Sequence, residues 1–244
     1  MFGFGKGKNT VNDTKVQDNI KDFKVNLLKE REQKFTVSLK KKTDMNIVAQ
    51  VGLVIDVSGS MSNLFNNNTV QDVVERIFPI AKKFDDNGML DMWAFSNSFN
   101  RLRLVNDDNF YTYVKTQILD KQPDCMWGGT SYGPVMDDVV KFYQKPKDPA
   151  YIIFITDGNN NDKHIAESIL KKASDKPIFW QFVGIGNSSF DFLEKLDDLK
   201  DRFIDNASFI PIKDINTMND ETLYDLLMTE FPDWLKLAKS HKLI

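Results

Sequence analysis

Three short segments of this chain concentrate oxygen donors of the kind that hold hard cations. The first, Asp56-Val57-Ser58-Gly59-Ser60, offers a carboxylate and two hydroxyls in a turn that contains glycine. The second, Gly128-Gly129-Thr130-Ser131, adds the Thr130 hydroxyl in a loop whose glycines permit close backbone approach. The third, Thr156-Asp157-Gly158, delivers a second carboxylate from Asp157. An oxygen-only donor set suits Mg²⁺, Mn²⁺ or Ca²⁺ and disfavours Zn²⁺ and Cu²⁺, which prefer imidazole or thiolate. Mg²⁺ requires an octahedral shell, so hydroxyls with one or two carboxylates leave room for water and for a ligand from elsewhere. Two carboxylates only cancel the charge of the ion. An acidic side chain from a partner protein would find an open position on a cation that is not over-neutralised.

The elements that must position these donors follow from the hydrophobic pattern. From Ile47 onward, apolar runs alternate with polar loops and amphipathic stretches, which predicts a doubly wound α/β domain with a mostly parallel sheet and helices on both faces. Residues 47–57 are nearly continuous in Val, Ile, Leu and Ala, as expected of a central strand covered on both sides. Further strands are predicted at 89–95, 101–105 (an exposed edge), 151–155, 178–185 and 207–212. Helices are predicted at 69–84, 109–119, 132–143, 166–173 and 190–199, with a closing helix over 221–239 interrupted near Pro232. Thr69 is the expected cap of the first of these, and Pro79 is expected to kink or shorten it. In such a sheet ligands bind where loops leave the carboxyl ends of strands, and Asp56 and Asp157 each follow a strand directly.

Residues 1–46 form an N-terminal extension ahead of the domain at 47–244. Val16, Ile20, Phe23 and Leu27 have helical spacing, whereas Phe35, Val37 and Leu39 alternate with polar residues as in a strand. Lys40-Lys41-Lys42 reads as a solvated turn.

The 32 basic and 35 acidic residues nearly balance, leaving a net charge of −3 and no field that would attract nucleic acid. The longest apolar runs fall far short of the roughly 20 residues needed to span a bilayer, so no membrane segment is expected. The N-terminus, MFGFGKGK, lacks the apolar stretch of a signal peptide. Cys125 is the only cysteine, which rules out an internal disulfide and fits a reducing, cytoplasmic setting. It has no neighbouring histidine to activate it. His164 and His241 are isolated and read as structural or surface residues.

The ordered set of DVSGS after an apolar strand, GGTS in a later loop and ITDG after another strand resembles the von Willebrand factor A (vWA) family. The resemblance implies a metal-ion-dependent adhesion site with Ser58 and Ser60 as direct ligands. It also implies Thr130 as a ligand that engages on binding, and Asp56 and Asp157 as carboxylates acting directly or through water. The wording VGLVIDVSGSM, FSN, GGTSYGPVM and WQFVGIG is similar to the branch found in bacterial tellurium-resistance and stress gene neighbourhoods. That branch implies a bacterial cytosolic scaffold or adaptor rather than an extracellular adhesion module.

Met126, Trp127 and Tyr132 surround the GGTS loop. They either form a partner-binding rim beside the metal or pack beneath the loop. Asn159, in an asparagine-rich turn, is a further rim candidate. The competing function is a Mg²⁺-dependent phosphatase or phosphotransferase with Asp56 as nucleophile. Against it, such enzymes resemble DxDx(T/V), and here the second acidic position is Ser58.

Overall fold

The computed structural model describes residues 9–144, 148–158 and 160–244. A six-stranded sheet runs in the order β3-β2-β1-β4-β5-β6, built from β1 (Gln50–Asp56), β2 (Asp91–Phe95), β3 (Phe99–Arg101), β4 (Ala150–Thr156), β5 (Ile178–Ile185) and β6 (Ala207–Ile212). All neighbours pair in parallel except β2 and β3. The mostly parallel, doubly wound architecture expected from the sequence is therefore present, with the 178–185 and 207–212 strands at their expected bounds. Strand order reverses between β1 and β4, which opens a crevice at their carboxyl ends.

Alternate residues of each strand feed two apolar layers. On one face Val51, Leu53 and Ile55 of β1 meet α3 (Thr69–Phe84), α7 (Asp220–Leu227), α8 (Phe231–Ser240) and α1 (Asn9–Lys42). On the other, Val54, Phe154 and Trp180 pack against α4 (Gly133–Tyr143), α5 (Lys163–Lys172) and α6 (Asp191–Asp197). A short helix, α2 (Ser62–Asn66), follows the first loop. Gly52 belongs to the second face, where a side chain would meet Trp93, Tyr143 and Ile152 at 3.0–3.2 Å, so the strand can sit centrally only without one.

The N-terminal segment differs from its expectation. Residues 35–39 are not a strand; they belong to α1, one helix of 34 residues. Phe35 and Leu39 lie four apart, a spacing shared by a strand face and a helix face. Val37, which a strand would bury with them, is exposed, while Leu28, Ser38 and Leu39 are buried on the helix face with Phe35. Charge fixes the helix laterally. Lys24 reaches Glu75 of α3 at 2.7 Å, and Arg31 reaches Asp72 at 2.7 Å and Asp220 of α7 at 3.6 Å. Lys40 to Lys42 form its last turn rather than a separate loop, a favourable place for cations.

Smaller departures have local causes. Thr69 does not cap α3: its amide donates to Asn67 Oδ1 at 3.1 Å, and its buried hydroxyl lies against Asn216. Pro79 is accommodated without ending α3, which runs on to Phe84. The expected helix at 109–119 is a 3₁₀ turn (Phe110–Thr112) followed by a π-helical turn (Val114–Leu119). The closing helix is broken into α7 and α8, with Pro232 in the first turn of α8, where its missing N–H costs nothing. The edge strand is β3 at Phe99–Arg101; beyond it the Leu102 amide donates to the Met92 carbonyl at 2.9 Å and Val105 bridges back to Leu90.

Candidate metal centre

Asp56 is the last residue of β1, and Asp157 directly follows β4. Their strands are neighbours in the sheet, so residues 101 apart in sequence meet at the switch point. Between them runs a chain of hydrogen bonds. Thr156 Oγ1 donates to Asp56 Oδ2 at 2.7 Å, and the Ser58 amide donates to Asp56 Oδ1 at 2.8 Å. Ser58 Oγ lies 3.1 Å from Ser60 Oγ, and Ser60 Oγ donates to Asp157 Oδ1 at 2.9 Å. Asp56 and Ser58 are buried, Asp157 is half-buried and Ser60 is exposed, so the donors rise from the sheet to the surface.

The loop carrying Thr130 is stitched onto this chain by backbone hydrogen bonds. The Trp127 amide donates to the Val57 carbonyl at 2.8 Å, and the Gly59 amide donates to the Gly128 carbonyl at 3.1 Å. Ser131 N–H donates to the Ser96 carbonyl at 2.9 Å, and Asn161 N–H to the Thr130 carbonyl at 2.8 Å. Thr130, half-exposed, is thereby fixed beside the loops after β1, β2 and β4. The fit is tight. A methyl on Gly128 would lie 2.5 Å from Ser96 Oγ, and one on Gly129 would lie 2.7 Å from Asn97 Oδ1.

The electrostatics favour a cation. Burial pushes the Asp56 carboxyl up to about 6, against the lowering effect of hydrogen bonds from Ser58 and Thr156. Burial raises Asp157 as well, opposed by the Ser60 hydroxyl. Among the described residues neither carboxylate has a salt-bridge partner, although nineteen ion pairs form elsewhere. Two partly desolvated carboxylates without a basic side chain are a suitable place for a divalent ion. No group of three or more His, Cys, Asp or Glu able to hold a metal occurs among the described residues, so hydroxyls must complete any shell here.

A model of the family described as the vWA domain found in the TerF C terminus matches residues 48–244. The chain belongs to the TerF-like vWA family. Across 85% of its length it is 47% identical, over 211 residues, to an uncharacterized protein of Bacillus subtilis (strain 168), YcbR, 86% of which is covered. Proximal thread matrix protein 1 of the mussel byssus, with zinc in its MIDAS motif, superposes with a TM-score of 0.53 at 17% identity. That match covers 75% of this chain and 48% of the mussel protein, so the chain spans about half of that relative's length. Manganese-loaded TRAP protein of Plasmodium vivax gives 0.54 at 19% identity, covering 76% and 74%. At such identities the likeness shows the fold.

Within this TerF-like vWA domain the structure separates the rim candidates. Tyr132 is fully buried beneath the loop, where its hydroxyl donates to the Gly158 carbonyl at 2.6 Å and lies 3.3 Å from Thr156 Oγ1. Met126 is partly buried against the main core. Trp127 alone of the three is exposed, and Asn159 lies outside the described residues. Cys125 is buried, and burial pushes its thiol up to about 11, as an inert cysteine requires.

Two contributors escape a reading by motif. Thr156 stands inside the ITDG segment but gains its role only when β4 is paired beside β1. Asp162 accepts from the amides of Tyr132 and Gly133, each at 2.8 Å, pinning the start of α4 and the end of the Thr130 loop from a distant segment. No described helix of the vWA domain or of α1 is long and apolar enough to cross a membrane.

Proposed function

We propose that this chain is a divalent-metal-dependent protein-binding module, a scaffold or adaptor that captures an acidic side chain of a partner protein. The supporting observation is the pair of carboxylates, buried Asp56 and half-buried Asp157, joined through Ser58 and Ser60 at the strand switch and, among the described residues, without a salt-bridge partner. Asp56, Ser58, Ser60, Thr130 and Asp157 would hold the ion, with Mg²⁺, Mn²⁺ or Ca²⁺ matching the oxygen donors. When bound, the ion supplies a Lewis-acidic position for an anionic ligand. The chain's own residues set its charge balance: two carboxylates against two positive charges leave the ion receptive to a third anion. Thr156 and Tyr132 hold the buried end of the donor chain, and the glycines bring Thr130 close.

The same reading places the module in the cytoplasm, in a bacterial tellurium-resistance or stress setting. It requires no catalytic step. The alternative, a phosphotransferase using Asp56, would need that carboxylate to reach a phosphorus atom. Asp56 is fully buried, and both of its oxygens already accept hydrogen bonds.

Titration calorimetry with Mn²⁺ tests the proposal: saturable binding to the parent chain and its loss in the Ser58→Ala, Ser60→Ala double variant are expected. Absence of divalent-metal binding by the parent would sink it. Metal-dependent phosphatase turnover abolished by Asp56→Asn would replace it with the enzymatic reading.

A further inference from the structure

Trp127 has three properties that together single it out. Its backbone lies in the left-handed region, with φ of 63°, a conformation that costs a bulky residue free energy and persists only where neighbours enforce it. The enforcement is visible in the hydrogen bond of its amide to Val57 and in the edge contact of its ring with buried Phe65, at 5.6 Å between centroids. The residue is nevertheless 38% exposed, whereas Trp93, Trp180 and Trp234 are at most 3% exposed. The Trp127 carbonyl lies 3.8 Å from where a side chain on Gly59 would begin, so the residue borders the turn between Ser58 and Ser60. An aromatic residue is thus held in a strained backbone conformation and partly exposed, with its ring against Phe65 and its carbonyl bordering the turn that carries Ser58 and Ser60.

The far side of the same loop is polar. The Asn97 and Asn161 side chains converge over Gly129, with Asn97 Oδ1 at 2.7 Å and Asn161 Nδ2 at 3.5 Å from a methyl placed there. Both asparagines are exposed. Amides flanking a cation site can donate to and accept from the main chain of an extended peptide.

Resting on the reading of the site as a metal-dependent binder of acidic groups, we infer that Trp127 determines its specificity. The partner segment carries its acidic residue next to a large apolar residue, which packs on the Trp127 ring while the carboxylate reaches the metal. The ring's pre-organisation makes such a contact cheap in conformational entropy, which is why fixed aromatic residues dominate recognition surfaces.

The test uses the full chain in Mn²⁺ and two blocked pentapeptides, with aspartate set between two glycines in one and between two leucines in the other. The leucine-flanked peptide is expected to bind about tenfold more tightly, the scale of partly burying one aliphatic side chain. Trp127→Gly, which removes the ring and relieves the left-handed strain, is expected to reduce that preference to under about threefold. A second readout needs no variant. Because the other tryptophans are buried, saturation with the leucine-flanked peptide should shift the tryptophan emission of the parent chain. Equal affinities, a preference that survives in Trp127→Gly, or unchanged emission at saturation would each overturn the role of Trp127 and leave the metal reading standing. Failure of both aspartate peptides to bind in Mn²⁺ would remove the metal reading itself, and this inference with it.

Discussion

Thr156 Oγ1 donates to Asp56 Oδ2 at 2.7 Å, joining the last residues of two adjacent strands under the candidate metal site. The bond is buried, so its loss leaves a desolvated carboxylate short of a donor. Thr156→Val is expected to cost about 1–3 kcal/mol in urea unfolding and to weaken Mn²⁺ binding several-fold. Thr156→Ser, which keeps the hydroxyl, should recover most of both. Unchanged unfolding and unchanged Mn²⁺ affinity in the valine variant would show that the bond does not organise Asp56.

A site with two uncompensated carboxylates should make stability depend on metal. At a Mn²⁺ concentration about a hundred times the dissociation constant, the folded state gains about 2.7 kcal/mol by mass action. Thermal unfolding of the parent chain should therefore rise by several degrees on adding Mn²⁺ and fall back with a chelator. The double variant Ser58→Ala, Ser60→Ala should show no such shift.

Gly128 is required by space rather than by backbone angle. A methyl there would approach Ser96 Oγ to 2.5 Å and Ser96 Cβ to 3.2 Å. Gly128→Ala is expected to displace the Thr130 loop and weaken Mn²⁺ binding about tenfold, with little loss of overall stability, because the loop lies at the surface. Adding Ser96→Gly removes both clashing atoms and should restore binding. Failure of that rescue would assign the defect to something other than the clash.

Asp197 gives a pH dependence away from the candidate site. Burial, and then the nearby charges of Glu230, Asp205 and Asp198, raise its carboxyl to about 7. It also ends α6, where a negative charge opposes the helix dipole. An unfolded chain releases this proton near 3.9. Between about 4 and 7 the folded state holds the proton that the unfolded state has lost, so stability falls as pH rises through that window. Asp197→Asn should be about 1 kcal/mol more stable than the parent at pH 8, a figure reduced for the half-exposed position, and gain nothing from lost ionisation below pH 4. Urea unfolding across the range checks the crossover.

The periodicity of α1 can be tested by two single changes. Phe35 is fully buried against Phe84 and Tyr224, with ring centroids at 5.3 Å in both pairs. Phe35→Ala is expected to cost about 3–5 kcal/mol. Val37→Ala should be nearly neutral on the exposed face. Comparable losses from both would support the strand-like pattern of residues 35–39 instead.

How much of this was legible in the sequence varies by element. Strands buried on both faces, such as residues 178–185, are apolar runs broken there only by Gln181 and Gly184, and their bounds were readable because polar loops end them abruptly. The register of hydrophobic residues in 35–39 was ambiguous because positions four apart satisfy both periods, and only packing against α3 and α7 selects the helix. The break between α7 and α8 was marked by Pro232, whereas the π-helical turn at Val114–Leu119 had no local sign.

By itself the sequence determined the donor chemistry: carboxylates and hydroxyls after apolar runs, with glycines beside Thr130, whatever surrounds them. It also determined the α/β layering, because the alternation of apolar strands with amphipathic helices allows few other ways to bury them. Only the tertiary structure decided which donors are buried, that Thr156 and Asp162 support them from separate segments, and that Tyr132 turns inward while Trp127 stays out. Those outcomes depend on contacts between residues far apart in the chain. Local pattern carries no record of such contacts until β1 and β4 lie side by side.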